Sequence, residues 1–286
     1  MNLANHAISK NAQKNLKEGT ALALLHVDFF SDALGMCAEM DVILPERARG
    51  QIGMNGAATN EKYPTLYLLH GMSDDHTIWQ RRTSIERYVS DLGLAVVMPS
   101  THLGWYTDMY RGHNYWTYIS KELPAICRSF FPNMSDRRED TFAAGLSMGG
   151  YGAMKCGLCA PETFSKVASL SGGLDAASIC ENNKVRVDNT LWEDIFGPAD
   201  KVRGSFNDLF AQAEKLAVSD GPKPDIFMWC GTEDFLYEQN TAMRDHLNKL
   251  GFNLHYEESP GDHQWKYWDE KIQTVLKWLD LGKKEA

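Results

Sequence analysis

The segment Asp140-Thr141-Phe142-Ala143-Ala144-Gly145-Leu146-Ser147-Met148-Gly149-Gly150-Tyr151-Gly152-Ala153-Met154 is an apolar run that breaks at Gly-x-Ser-x-Gly and resumes with helical character. That is the layout of a nucleophile elbow. Such a turn holds one serine in a strained conformation at the carboxyl end of a strand, so that its hydroxyl stands above the sheet and the following amide faces the same space. Strand and helix pass so close around the serine that a side chain at Gly145 or Gly149 would collide, which is why both are glycine. A glycine-serine turn of ordinary kind would satisfy the same five residues, so the reading of Ser147 as nucleophile depends on what the rest of the chain supplies.

Around this turn, period-two apolar runs alternate with helical patterns, the sign of a mostly parallel sheet covered on both faces. Thr20 to Phe30 and Met36 to Leu44 read as an opening antiparallel pair. Strands follow at Tyr63–Leu69, Leu94–Pro99, Thr141–Gly145, Lys166–Ser171, Asp225–Cys230 and Asn253–Glu258. Helices are expected near Trp79–Ser90, Trp116–Phe130, Gly149–Cys159, Phe206–Ala217, Glu238–Leu250 and Trp265–Leu281. The expected fold is α/β, with the elbow near the middle of the sheet. A polar segment at 1–19 precedes a single domain over 20–286, and no internal repeat marks a second one.

The interval from Asp175 to Lys223 breaks the alternation, because it holds only one clear helix. Connections of that length are functional or disordered. An insertion at about 175–223, lying over the carboxyl edge of the sheet and walling the substrate pocket, is one reading; a surface excursion is the other.

With 286 residues, 43% hydrophobic and 23% charged, the chain has enough apolar material for one large core. Its net charge of −9 and the lack of a basic face exclude nucleic acid as partner. Residues Met1 to Glu18 are polar and lysine-bearing, unlike a signal peptide. No run approaches the roughly 20 apolar residues of a membrane span. A cytoplasmic protein without membrane association is expected, and homo-oligomerisation is left open. The six cysteines are scattered, as befits reduced packing residues. Cys156-x-x-Cys159 falls on the helix after the elbow without a second ligand pair, so packing is favoured over zinc or redox use.

A serine hydroxyl attacks at neutral pH only when an imidazole takes its proton and a carboxylate orients that imidazole. Both partners belong just beyond late strands. Asp225–Cys230 runs into Gly231-Thr232-Glu233-Asp234, and Asn253–Glu258 into Ser259-Pro260-Gly261-Asp262-His263. His263 is the expected base and Asp234 the expected acid. Glu233 and Asp262 compete for the acid's place, but residues adjacent on a turn point in different directions. The developing oxyanion needs backbone donors. Met148, next to the serine, supplies one amide, and Met72, in the loop Leu69-His70-Gly71-Met72, the other. His70 either shapes this loop or packs beneath it. The aromatic loop Trp105-Tyr106-Thr107-Asp108-Met109-Tyr110, with Trp79 and Trp265, suits a shallow apolar cleft for small acyl groups. Nothing in this chemistry calls for a metal or an organic cofactor.

Tyr-Pro-Thr-Leu-Tyr-Leu-Leu-His-Gly-Met from Tyr63, Gly-Leu-Ser-Met-Gly-Gly-Tyr-Gly-Ala from Gly145, Cys-Gly-Thr-Glu-Asp-Phe-Leu-Tyr from Cys230 and Gly-Asp-His-Gln-Trp from Gly261 together carry a resemblance. From about residue 20 to 281 the chain resembles the esterase branch of the α/β-hydrolases. That branch includes esterase D (S-formylglutathione hydrolase), tributyrin esterases, acetyl and feruloyl esterases and the antigen 85 mycolyltransferases. Trp116 to Pro124 is similar to a helix of the tributyrin-esterase type. The resemblance implies an α/β-hydrolase fold, Ser147, Asp234 and His263 as triad, and oxyanion amides at Met72 and Met148. It implies a serine carboxylesterase acting on a small ester, acetyl to butyryl, with acetylated or feruloylated carbohydrate among the candidates. An S-formylglutathione thioesterase, a mycolyl-type acyltransferase and a non-catalytic binding module are the alternatives.

Overall fold

The computed structural model describes residues 19–48, 62–182 and 190–281. The polar segment at 1–19, apart from Gly19, and residues 183–189 of the 175–223 interval lie outside the described residues. Eight strands form one sheet: β1 (Gly19–Ser31), β2 (Met36–Ala48), β3 (Thr65–Leu69), β4 (Ala95–Pro99), β5 (Thr141–Leu146), β6 (Lys166–Leu170), β7 (Asp225–Gly231) and β8 (Leu254–Ser259). Their order is β1-β2-β4-β3-β5-β6-β7-β8. β2 runs antiparallel to β1 and β4, and the pairs from β4 through β8 are parallel.

Side-chain alternation divides the core in two. Leu66, Leu68, Phe142, Ala144, Leu146, Phe227 and Trp229 face one side, where α1 (Ile78–Arg82), α2 (Ile85–Val89) and the C-terminal α11 (Trp265–Trp278) cover them. Tyr67, Leu69, Ala143, Val167, Ile226 and Met228 face the other. That face carries α3 (Tyr115–Thr117), α4 (Leu123–Phe130), α5 (Met148–Cys159), α9 (Leu209–Ala217) and α10 (Tyr237–Lys249). Strands β3 and β5 are buried along their whole length, as the continuous apolar runs of a doubly covered parallel sheet require.

Two expected helices are interrupted, each for a local reason. Trp79–Ser90 divides at Thr83, whose hydroxyl donates to Trp79 O at 2.5 Å and accepts from the Ile85 amide at 3.1 Å. The side chain thus competes with the helical ladder. Between α3 and α4, Tyr118–Glu122 is wound as a π-helix. Pro124 follows; it has no N–H to offer Ser120 O and its ring crowds that carbonyl, so the wider turn accommodates it.

The described parts of the interval 175–223 hold more helix than the sequence suggests. Besides α9 it contains α6 (Ala176–Asn182), α7 (Leu191–Phe196) and α8 (Ala199–Val202), where the sequence pattern indicated no helix. Each is too short for apolar periodicity to stand out, and helices of this length hold through tertiary packing rather than propensity. Trp192 and Phe196 of α7 pack on Trp105, with ring centroids 5.2 and 5.7 Å away. The backbone joins in, with Tyr110 N donating to Ile195 O and Arg111 N to Asp194 O. The segment therefore lies against the loop that leaves β4 and against α5.

Candidate active site

Strand β5 ends at Leu146 and α5 begins at Met148, leaving Ser147 alone between them at φ +53 and ψ −116. A positive φ is costly for a residue with a Cβ. The surroundings impose it: the Ser147 amide donates to Leu170 O, while its carbonyl accepts from Tyr151 N and Gly173 N. A Cβ at Gly145 would lie 2.3 Å from Gly149 O, and one at Gly149 would lie 2.4 Å from Leu69 O. Only glycine fits at either place.

The loops after β7 and β8 approach as closely. A Cβ at Gly231 would stand 2.1 Å from Gly261 O. Thr232 N donates to Ser259 O and Glu233 N to Gly261 O, each at 3.0 Å. These bonds bring Asp234 and His263 together. His263 Nδ1 donates to Asp234 Oδ2 at 2.8 Å, and the Ser147 hydroxyl donates to His263 Nε2 at 3.0 Å. The Asp234 side chain is fully buried, and its second oxygen accepts from the Leu236 amide at 2.9 Å. Asp234 thus faces the imidazole with one oxygen and fixes its own turn with the other.

The two competing carboxylates are occupied elsewhere. Glu233 accepts from Gly261 N and from Thr232 Oγ1, bonds that hold its carboxyl below the usual range. Asp262 accepts from the Gln264 side chain. Glu233 is a brace between the two loops rather than a partner of the imidazole.

The loop after β3 is fixed carbonyl by carbonyl. Leu69 O accepts from Trp79 Nε1 at 3.0 Å, His70 O from Tyr106 Oη at 2.9 Å, and Gly71 O from His70 Nδ1 at 2.7 Å. His70 Nε2 accepts from the Thr101 amide at 2.9 Å, so its proton sits on Nδ1. Burial lowers the His70 pKa to about 4, which keeps the ring neutral. In a trans peptide the C=O and N–H point opposite ways. Turning Gly71 O onto His70 therefore turns the Met72 N–H to the other side of the loop. Gly71 itself borders the elbow, where a Cβ would come within 3.7 Å of Ser147 Cβ. Asp74 is half-buried nearby; desolvation, then Asp75, raises its carboxyl to about 6.

The aromatic residues expected along a cleft divide into two kinds. Trp79 and Tyr106 are enclosed, 1% and 0% exposed, and offer their polar atoms to the β3 loop rather than to a substrate. Trp105 is also buried, in the cluster with Tyr151, Trp192 and Phe196. Trp265 is partly exposed and packs edge-on against Trp79 and Trp268. In sequence, an aromatic residue that braces a loop carries no mark separating it from one that lines a cleft.

Among the described residues, no carboxylate is hydrogen-bonded or ion-paired to Lys155. Fully buried, it donates to Thr107 Oγ1 at 2.8 Å and to Asn207 Oδ1 at 2.7 Å, with the rings of Phe206, Trp116 and Tyr151 at 5.0, 5.2 and 5.6 Å. It joins α5 to the β4 loop and to the 175–223 segment. Cys156 is buried and Cys159 nearly so; both are free thiols that burial pushes up, Cys159 to about 11. Among the described residues no cluster of His, Cys, Asp or Glu could hold a metal ion, and no helix is long and apolar enough to cross a membrane.

The sheet order, the antiparallel β2 and the serine between β5 and α5 define an α/β-hydrolase. Residues 31–279 match the family described as "Putative esterase". The chain is 30% identical to an acetyl esterase of Caldicellulosiruptor saccharolyticus, covering 90% of this chain and 98% of that protein. Two solved Staphylococcus aureus structures are similar, each 34% identical and each covering 92% of this chain. One is the fluorophosphonate-binding serine hydrolase FphF, with a TM-score of 0.81 and 99% of its chain covered. The other is the S-formylglutathione hydrolase FrmB, with a TM-score of 0.79 and 100% of its chain covered. The chain belongs to this esterase family and is a carboxylic ester hydrolase.

Proposed function

We propose that the chain hydrolyses short-chain acyl esters, acetyl to butyryl, through an acyl-enzyme on Ser147, with His263 as base and Asp234 as its orienter. The observation that carries this reading is the hydrogen-bonded line from Asp234 through His263 to Ser147, at 2.8 and 3.0 Å, on a serine held at φ +53. His263 Nε2 takes the hydroxyl proton as Ser147 Oγ bonds to the acyl carbon. The carbonyl oxygen becomes an oxyanion, bonded by the Met148 and Met72 amides. His263 then gives its proton to the leaving alcohol oxygen as the C–O bond breaks. A water, deprotonated by His263, attacks the acyl-enzyme; the acid departs and Ser147 recovers its proton. Each amide donor is worth about two to three orders of magnitude. The positive end of α5 adds to the same field.

Support for an acetyl-sized acyl group comes from the kinship to the acetyl esterase. Acetylated carbohydrate is a natural candidate. Hydrolysis of p-nitrophenyl esters from acetate to palmitate tests the reading. A maximum at about two to four carbons, abolished by Ser147→Ala, is expected. A maximum at long chains would overturn the short-acyl assignment.

A second reading has its own support in the kinship to S-formylglutathione hydrolase. The same line of three residues would cleave a thioester. Specificity constants for S-formylglutathione and acetyl esters, measured side by side, decide between the two.

A further inference from the structure

Phe235 is 75% exposed, although it lies between two residues that are buried, Asp234 and Leu236. Its position is not slack. Asp234 N donates to Gly231 O, Tyr237 N to Asp234 O, and Leu236 N to the Asp234 carboxylate, so the turn that carries the ring is pinned on both sides. The Phe235 ring centroid stands 4.6 Å from that of His263 at an angle of 49°. Trp268 also meets the imidazole, 4.8 Å away and edge-on, its indole N–H donating to Ser171 Oγ. His263 thus touches one buried ring and one exposed ring. Trp268 packs against the imidazole from the core, whereas the Phe235 ring keeps an apolar face open to water, available to be covered by a bound group.

The chemistry of the reaction indicates what covers it. The leaving oxygen must take its proton from His263 Nε2, so whatever the alcohol carries beyond that oxygen extends past the imidazole. The Phe235 ring, 75% exposed and centred 4.6 Å from that imidazole, offers an apolar face beside it. A phenyl ring has no hydrogen-bonding atom; its face attracts flat apolar surfaces, such as another aromatic ring or the C–H face of a pyranose. The charges flanking it are mainly acidic, Glu233 in the same turn and Asp262 beside His263, with the Lys266 ammonium drawn over the Tyr267 ring. An anionic leaving group is unwelcome there.

We propose that Phe235 is the platform on which the leaving alcohol rests, and that it selects neutral, ring-bearing alcohols, aryl or sugar, over open-chain and anionic ones. This specificity role rests on the proposed assignment of His263 and Ser147.

The test compares wild type, Phe235→Ala and Phe235→Trp on ethyl acetate, phenyl acetate and an acetylated methyl glucoside. Because the side chain is mostly exposed, neither substitution threatens the fold. In Phe235→Ala the preference for the ring-bearing esters over ethyl acetate should fall about tenfold, equivalent to ~1.4 kcal/mol, through KM rather than kcat. Phe235→Trp should retain or raise it. A fall confined to phenyl acetate assigns the platform to aryl alcohols, and one confined to the glucoside assigns it to sugars. A preference that stays within about twofold overturns the proposal. So does an equal loss on all three esters with a shifted pH profile, which would make the ring a mere support for His263. Failure of the underlying triad would appear separately, as turnover persisting in Ser147→Ala with Phe235 intact.

Discussion

Two regions meet above the carboxyl end of this sheet, and they are built on different principles. The elbow and the loops after β3, β7 and β8 are held by backbone: glycines where a Cβ would strike a carbonyl at 2.1 to 2.4 Å, and peptide groups bonded one by one. The wall formed by the β4 loop and the 175–223 segment is held by side chains, with Trp105, Tyr151, Trp192 and Phe196 stacked together and Lys155 bonded between two neutral oxygens. Backbone fixes atoms to a fraction of an ångström, which proton transfer and oxyanion stabilisation require. Packing of buried rings tolerates exchange of one large apolar residue for another and shows its strength in stability.

Substitutions in the first region should therefore appear in kcat, and those in the second in stability. Asp234→Asn leaves the shape of the site intact but deprives His263 of the carboxylate on Nδ1, and should lower kcat by about 10⁴. Stopped assays on p-nitrophenyl acetate, with an unchanged melting temperature as control, check it. Trp192→Ala removes a buried ring from the wall and should cost about 3–5 kcal/mol of folding stability, read from urea unfolding. If its main effect were on kcat instead, the division between the two regions would not hold.

Tyr106→Phe sharpens the comparison, because Tyr106 belongs to the wall's loop yet donates to His70 O in the site. Losing that one hydroxyl frees a carbonyl two residues before Met72. A fall in kcat of about tenfold with little change in KM is expected. An effect on KM alone would return Tyr106 to the substrate-lining role that its sequence position indicated.

The smallest effect concerns Lys155. Burial lowers its ammonium from 10.5 to about 8. Between those values the folded chain binds fewer protons than the unfolded chain, so this group makes stability rise with pH through the window and fall as pH drops through about 8. Lys155→Met lacks the titration. Its deficit in melting temperature relative to wild type should grow between about pH 7 and about pH 10. A deficit that shrinks over that range would contradict the assignment.

The same contrast explains what was legible in the sequence. The meeting of Ser147, Asp234 and His263 could be read because a nucleophile elbow demands glycine at fixed spacing and because Asp234 and His263 each stand in the loop just after a late strand, apolar in β7 and half-exposed in β8. The eight strands were legible to within a few residues, the central ones from their continuous apolar runs. The wall was not. Its helices α6, α7 and α8 are too short to show a period, and a tryptophan reads the same whether it lines a cleft, as expected of Trp79, or donates to Leu69 O from the core, as Trp79 does. His70 was noted only as shaping or packing under its loop; that its Nδ1–H turns the Gly71 carbonyl depends on Thr101, thirty-one residues away, whose amide donates to the other ring nitrogen. Phe235 stood within a recognised motif and passed unremarked, since only exposure distinguishes it.

The central claim is that Ser147 is the residue acylated during turnover. Reaction of the folded chain with a fluorophosphonate, followed by peptide mapping, tests it most directly. The account predicts a single label on the peptide bearing Ser147, absent from Ser147→Ala together with esterase activity. A label on another serine, or no label while ester hydrolysis continues, would contradict it.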